Sequence, residues 1–161
     1  MKKKDNLFIE KARSIPLQGG VYLIARTFFD IKLASIYYSI KDHLINTKGK
    51  VLDVGCGNSP YRFLLKDASY YGIDHKVSEE FSMRGQEENI EIFEGNTFPK
   101  ESNSFDMVFH TEVLEHVNKP LVFLQECNRV LKVGKKLIFT VPFSYKYHYS
   151  HMITSDIHLR C

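Results

Sequence analysis

From Lys50 to Leu65 the chain reads KVLDVGCGNSPYRFLL, and the residue types in it pose a chemical question. An apolar run carries a carboxylate, Asp53, near its end, with Gly55 and Gly57 two and four residues further on and Pro60 shortly after. Glycine has no side chain, so the backbone there can turn sharply and come close to a ligand. A second apolar run ends in Gly72-Ile73-Asp74, where a carboxylate can accept both hydroxyl hydrogens of a ribose. A third candidate group, His110, Glu112, Glu115 and His116, follows a later apolar run and brings residues able to move protons.

These types select among ligands. A dinucleotide corner continues as G-x-G-x-x-G and binds pyrophosphate on free backbone N–H groups at a helix start. Here Pro60, which has no N–H, takes the third position, and Asp53 brings negative charge beside the place of the phosphate. The corner suits a ligand with an ammonium group and no phosphate. S-adenosylmethionine is such a ligand, with a cationic sulfur as well.

The elements that must position these residues follow from hydrophobic patterning. Short apolar runs predict strands at Val51–Val54, Tyr70–Ile73, Ile90–Phe93, Phe105–Phe109 and Lys136–Val141. A helix is expected to begin at Pro60. Another lies before the fifth strand, with Asn118 as cap, Pro120 in the first turn, a stripe of Leu121, Leu124, Cys127 and Leu131, and Gly134 as its end. Upstream, Val21 to about Asn46 has helical periodicity. One stripe holds Ile24, Phe28, Ile31, Ser35, Tyr38 and Asp42, the other Leu33, Ile36, Tyr37, Ile40 and Leu44. Packing on the domain core is the expected use of this apolar surface; a lid or a membrane-resting face is the other. Alternating strands and helices imply an α/β fold, a Rossmann-like doubly wound and mostly parallel sheet covered on both faces. Ligands of such sheets bind beyond the carboxyl ends of the strands.

Bulk properties narrow the class. A chain of 161 residues fits one domain, and 43% hydrophobic with 25% charged residues is ordinary for a globular protein. A net charge of +3 without a basic stripe argues against a nucleic-acid partner. Cys56, Cys127 and Cys161 have no metal spacing and suit a reducing compartment, so a cytoplasmic location and no metal are expected.

The motifs together resemble the class I S-adenosylmethionine-dependent methyltransferases, of the type 11 kind. VLDVGCGNSPYRFLL is similar to that family's first motif, YYGIDHK to its second, and NSFDMVFHTEVLEHV to its fourth-strand motif. NKPLVFLQECNRVLKVGKKLIFTVP is similar to the following helix and fifth strand. The resemblance implies that Asp53, Gly55, Cys56, Gly57 and His110 belong to the cofactor site, with Asp53 and the glycines along its methionine part. It also implies Asp74 on the ribose, His75 beside the adenine, and Asn96 or Glu94 on the adenine amino group. Ser59 stands where many members have a third glycine. Transfer of a methyl group needs alignment above all, and a base where the acceptor is a hydroxyl. His116 and His148 are the candidate bases.

The resemblance sets the expected organisation: an N-terminal helical segment over 1–46, a cofactor-binding domain over 47–143, and an irregular tail over 144–161. The last strands of the family's seven-stranded sheet are expected to be missing. The fifth strand would then offer an exposed apolar edge, a route to a homodimer. The tail has a second reading as a frameshift product. One permitted back-translation of SHMITSDIH, read from the last base of its serine codon, gives Pro-Tyr-Asp-Tyr-Phe-Arg-Tyr-Thr, close to the pattern the subgroup carries there. The expected function is methyl transfer to a small-molecule or lipid- or sugar-linked acceptor, with peripheral membrane contact left open. A cofactor-binding remnant without turnover is the alternative.

Overall fold

The sheet grows from strands whose residues are apolar on both faces. The computed structural model describes residues 31–57, 59–76, 90–143 and 151–157. In chain order its strands are β1 (Gly49–Val54), β2 (Ala68–His75), β3 (Ile90–Phe93), β4 (Phe105–Thr111), β5 (Leu131–Phe143) and β6 (His151–Ile157), in the spatial order β3-β2-β1-β4-β5-β6. β1 to β5 run parallel, with Asp53 of β1 level with Gly72 of β2 and Phe109 of β4. Each of the five expected strands is present, lengthened at one or both ends except Ile90–Phe93, which keeps its bounds.

Successive residues of a strand face opposite sides, and the core divides accordingly. Val51, Met107, Phe109 and Ile138 join one cluster, and Leu52, Val108, Leu137 and Phe139 the other. Helix α1 (Ile31–Ile45) covers the first face with Ile36, Ile40 and Leu44. Ile40 and Leu44 are wholly buried, each worth about 1.5–3 kcal/mol of apolar burial. Of the two stripes, it is the one with Leu33, Ile36, Tyr37, Ile40 and Leu44 that packs on the core, while Tyr38 of the other is exposed. The part of that pattern before Ile31 lies outside the described residues. Helix α2 (Pro120–Val130) covers the second face with Phe123, Cys127 and Val130.

Three local expectations are corrected. Among the described residues no α-helix joins β1 to β2: Pro60 opens a turn, and a short 3-10 turn, Arg62–Leu64, follows it. α2 has Lys119, not Asn118, at its N-cap, with no side-chain cap. It also stops at Val130, before Gly134, because Leu131 turns extended to pair with Phe105. Gly134, at φ +75°, instead serves the bulge between that pairing and the one from Lys136 onward. The stripe shifts with it, and Leu121 is exposed.

The end of the chain corrects a fourth. The segment read as an irregular tail carries β6, antiparallel to β5 from Phe143 opposite His151 to Leu137 opposite Ile157. An open β5 edge would leave a row of N–H and C=O groups unpaired, and β6 satisfies them. That edge is therefore not open to a second copy. Among the described residues no helix is long and apolar enough to cross a membrane.

Candidate functional site

A cavity of about 760 Å³ opens beyond the carboxyl ends of β1, β2, β3 and β4. That is the size and place of a cofactor pocket in an open parallel sheet. Its inner corner is made by Val54, Gly55 and Gly57. Gly55 has φ +70°, and a Cβ there would lie 2.5 Å from Val113 Cγ2, so only glycine lets the two loops meet. Gly57, at φ +50°, has open space where its side chain would be, so its bare backbone faces the cavity. Ser59 takes a glycine-like φ of 49°, so a serine does fill the place of a third glycine here.

Asp74 lines the cavity at the end of β2. Its carboxylate accepts the N–H of Gly57 at 3.2 Å and of His75 at 2.9 Å, which fixes it across the corner. His75 and Asn96 also line the cavity, as does Gly95. Glu94 does not; it is exposed and pairs with Lys76 at 2.8 Å, so of the two candidates only Asn96 faces inward. An aromatic run forms the wall. His75 meets Phe93 edge-on, Phe93 meets Phe98, and Phe98 meets Phe123, with ring centroids 5.3 to 5.5 Å apart.

Three expected site residues sit behind this surface. Asp53 is 3% exposed, and its Oδ2 lies 3.0 Å from Tyr70 Oη. Burial pushes its carboxyl up to about 8, with the charge of Asp74 adding to the rise and the Tyr70 bond opposing it. Cys56 turns its thiol inward, where a Cβ on Gly72 would come within 2.9 Å of its Sγ, and burial keeps that thiol protonated. His110 is fully buried, stacked on Phe139 and edge-on to Phe123, with both centroids 5.1 Å away. Burial drives its imidazole down to about 3, so it is a neutral ring of the core.

The rim comes from the segment after β4. Glu112, Val113, His116, Val117 and Asn118 all line the cavity. His116 is 79% exposed in its side chain, with Nε2 3.8 Å from Glu115 Oε1. His148 lies outside the described residues. Sequence reasoning did not place Phe93, Phe98 or Phe123 in the site, and gave Asn118 to the helix cap. Glu112 was grouped with the candidates that follow the fourth strand but was given no role of its own.

The donor set fits S-adenosylmethionine. Among the described residues the cavity is lined by two carboxylates and no lysine or arginine, which disfavours a pyrophosphate and favours a cation. No three histidine, cysteine or acidic side chains among the described residues are grouped to hold a metal.

Comparison with known proteins decides the family. The family model described as a methyltransferase domain, type 11, matches residues 52–139, more than half of the chain. The chain belongs to the methyltransferase domain family. It is 32% identical over 110 residues to a ubiquinone biosynthesis O-methyltransferase of Coxiella burnetii, covering 60% of this chain and 45% of that protein. It is 26% identical over 152 residues to a tRNA U34 carboxymethyltransferase of Campylobacter concisus, covering 88% and 53%. The chain thus spans about half the length of these curated relatives. The fold matches an S-adenosylmethionine-dependent methyltransferase of Aquifex aeolicus with a TM-score of 0.52 at 22% identity, covering 77% of this chain and 75% of that one. The family and the lining of the cavity both fit S-adenosylmethionine as the cofactor.

Proposed function

We propose that this methyltransferase transfers a methyl group to a hydroxyl of a small-molecule or lipid- or sugar-linked acceptor in the cytoplasm, with His116 as the base. The observation that carries this reading is His116 on the rim of the cavity, exposed yet part of its lining. A hydroxyl is a poor nucleophile until a base takes its proton, and a neutral imidazole at the mouth can do so through either ring nitrogen. Glu115 beside it can hold the imidazolium that results. The name of the Coxiella relative, an O-methyltransferase, supports the choice of oxygen.

The remaining residues bind and orient. Gly55 and Gly57 admit the methionine part of the cofactor against bare backbone. Asp74, braced by two N–H groups, is aimed to accept ribose hydroxyls. Phe93, Phe98 and Phe123 offer an apolar wall beside His75 and Asn96 for the adenine. When bound, S-adenosylmethionine supplies the methyl group already activated on a sulfonium.

The test is transfer of a labelled methyl group from S-adenosylmethionine to catechols, phenols and sugar hydroxyls. His116→Gln should lower kcat about 100-fold or more, with little change in cofactor affinity. Cofactor binding without transfer to any acceptor would overturn the reading in favour of a binding remnant, and an unchanged kcat in His116→Gln would remove the base.

A further inference from the structure

Tyr70, Gly72 and Asp74 alternate along β2 and so share one of its faces. Each of the three meets the corner that follows β1. Asp74 Oδ2 accepts the N–H of Gly57 at 3.2 Å. A Cβ on Gly72 would lie 2.9 Å from Cys56 Sγ and 3.1 Å from Tyr70 Oη, so the bare glycine makes room for both. Tyr70 Oη lies 2.7 Å from Ser59 Oγ. The corner thus rests on one face of the neighbouring strand, and Tyr70 holds its far end.

Ser59 is where that support is needed. Its φ of +49° is a conformation that residues other than glycine rarely adopt. Its N–H donates to Cys56 O at 2.8 Å and closes the turn that contains Gly57, while its own carbonyl accepts the N–H of Arg62 at 3.1 Å. Ser59 is 7% exposed, so water is a poor substitute for the tyrosine hydroxyl. Gly57 lines the cavity, whereas neither Ser59 nor Tyr70 does. Whatever fixes Ser59 therefore fixes the backbone of Gly57 at the cavity surface, and with it the N–H that braces Asp74.

We propose that Tyr70 is a positioning residue for the cofactor. Its hydroxyl holds Ser59 in the left-handed conformation that a glycine takes unaided, and so sets Gly57 and Asp74 for the ligand. The contact of Tyr70 with Asp53 at 3.0 Å is a separate duty of the same hydroxyl, and substitution at Ser59 tells the two apart. A tyrosine that served Asp53 alone would leave the choice of residue at position 59 without effect. The inference rests on the cavity being the cofactor site and not on the acceptor or on His116.

Titration calorimetry with S-adenosylhomocysteine, on the whole chain and on four variants of it, tests this. Tyr70→Phe deletes the hydroxyl and keeps the ring, whose centroid lies 5.1 Å from Arg62 Cζ. Affinity should fall about 10-fold, the equivalent of one buried hydrogen bond. Ser59→Ala keeps a Cβ but loses the tether, and should fall by about the same factor. Ser59→Gly needs no tether and should fall by less than about twofold. The double variant of Tyr70→Phe with Ser59→Gly should return to within about threefold of the unsubstituted chain. Undiminished binding by Tyr70→Phe, or a loss that the glycine does not rescue, overturns the proposal while leaving the cofactor site intact. Failure of the unsubstituted chain to bind would overturn the cavity assignment, and this role with it. Should Tyr70→Phe fail to fold, the serine pair decides: equal affinities of Ser59→Ala and Ser59→Gly overturn the tether.

Discussion

Tyr70 Oη stands between two buried polar groups, 3.0 Å from Asp53 Oδ2 and 2.7 Å from Ser59 Oγ. A phenol has one proton, and an ionised carboxylate can only accept. Tyr70 therefore donates to Asp53 when that residue is charged, and Ser59 donates to Tyr70. One hydrogen bond is thin compensation for a carboxylate that is 3% exposed, and this is why burial raises Asp53 to about 8.

The raised value predicts a pH-dependent penalty. In the unfolded chain Asp53 loses its proton near 3.8, while the folded protein keeps it to about 8. Between these values the unfolded state binds fewer protons, so stability falls as pH rises from about 4 to about 8 and then levels. Asp53→Asn removes the titration and can still accept from Tyr70. It should raise Tm by about 5 °C at pH 7.5 in the cofactor-free protein, and by nothing measurable at pH 4. A gain that is the same at both pH values would show that ionisation of Asp53 is not its source.

Gly55 and Gly57 should separate in their cost of substitution. Alanine at Gly55 puts a Cβ 2.5 Å from Val113 Cγ2 and strains a backbone at φ +70°. A loss of about 2–3 kcal/mol in urea unfolding is expected. Alanine at Gly57 meets nothing within 4 Å and carries only the conformational cost at φ +50°, about 1 kcal/mol. Val113→Ala should recover part of the loss in Gly55→Ala and none in Gly57→Ala. Equal costs, or no rescue, would mean that the loops do not meet as described.

What the sequence disclosed and what it hid have a physical division. Strands such as Val51–Val54 and Ile90–Phe93 are mostly apolar, each with one acid, and the glycine corner is a local backbone demand; both are written in adjacent letters. The cavity wall is not. Phe98 and Phe123 come from a loop and a helix and become neighbours only when α2 docks on the sheet, so each alone looks like core. Glu112 takes a positive φ and a partner on β5, Thr140, which no local pattern encodes. The missing helix after β1 is similar: Pro60 marks a possible start, but the chain spends that stretch burying Tyr61, Leu64 and Leu65 in one turn. β6 was hidden because its pairing depends on the vacant edge of β5 and not on its own apolar pattern.

Arg129 holds the cavity floor from outside it. Its guanidinium donates to Phe98 O at 3.1 Å, Lys100 O at 2.8 Å and Ser102 Oγ at 3.2 Å, and forks onto Glu126, whose Oε2 accepts the N–H of Phe98 at 2.8 Å. α2 thus clasps both backbone groups of Phe98, a residue 2% exposed that lines the cavity. Arg129→Met keeps most of the stem but deletes these bonds and leaves Glu126 without its cation. Stability should drop about 2–3 kcal/mol. Arg129→Lys should restore only part, because a point charge cannot replace a planar fork. Amide exchange separates the clasp from a general weakening. The N–H groups of Phe98 and Lys100 should speed up more than those of β1, and S-adenosylmethionine should bind more weakly because its wall is loosened. Uniform acceleration across the sheet, with cofactor affinity unchanged, would mean that Arg129 stabilises the fold without positioning the site.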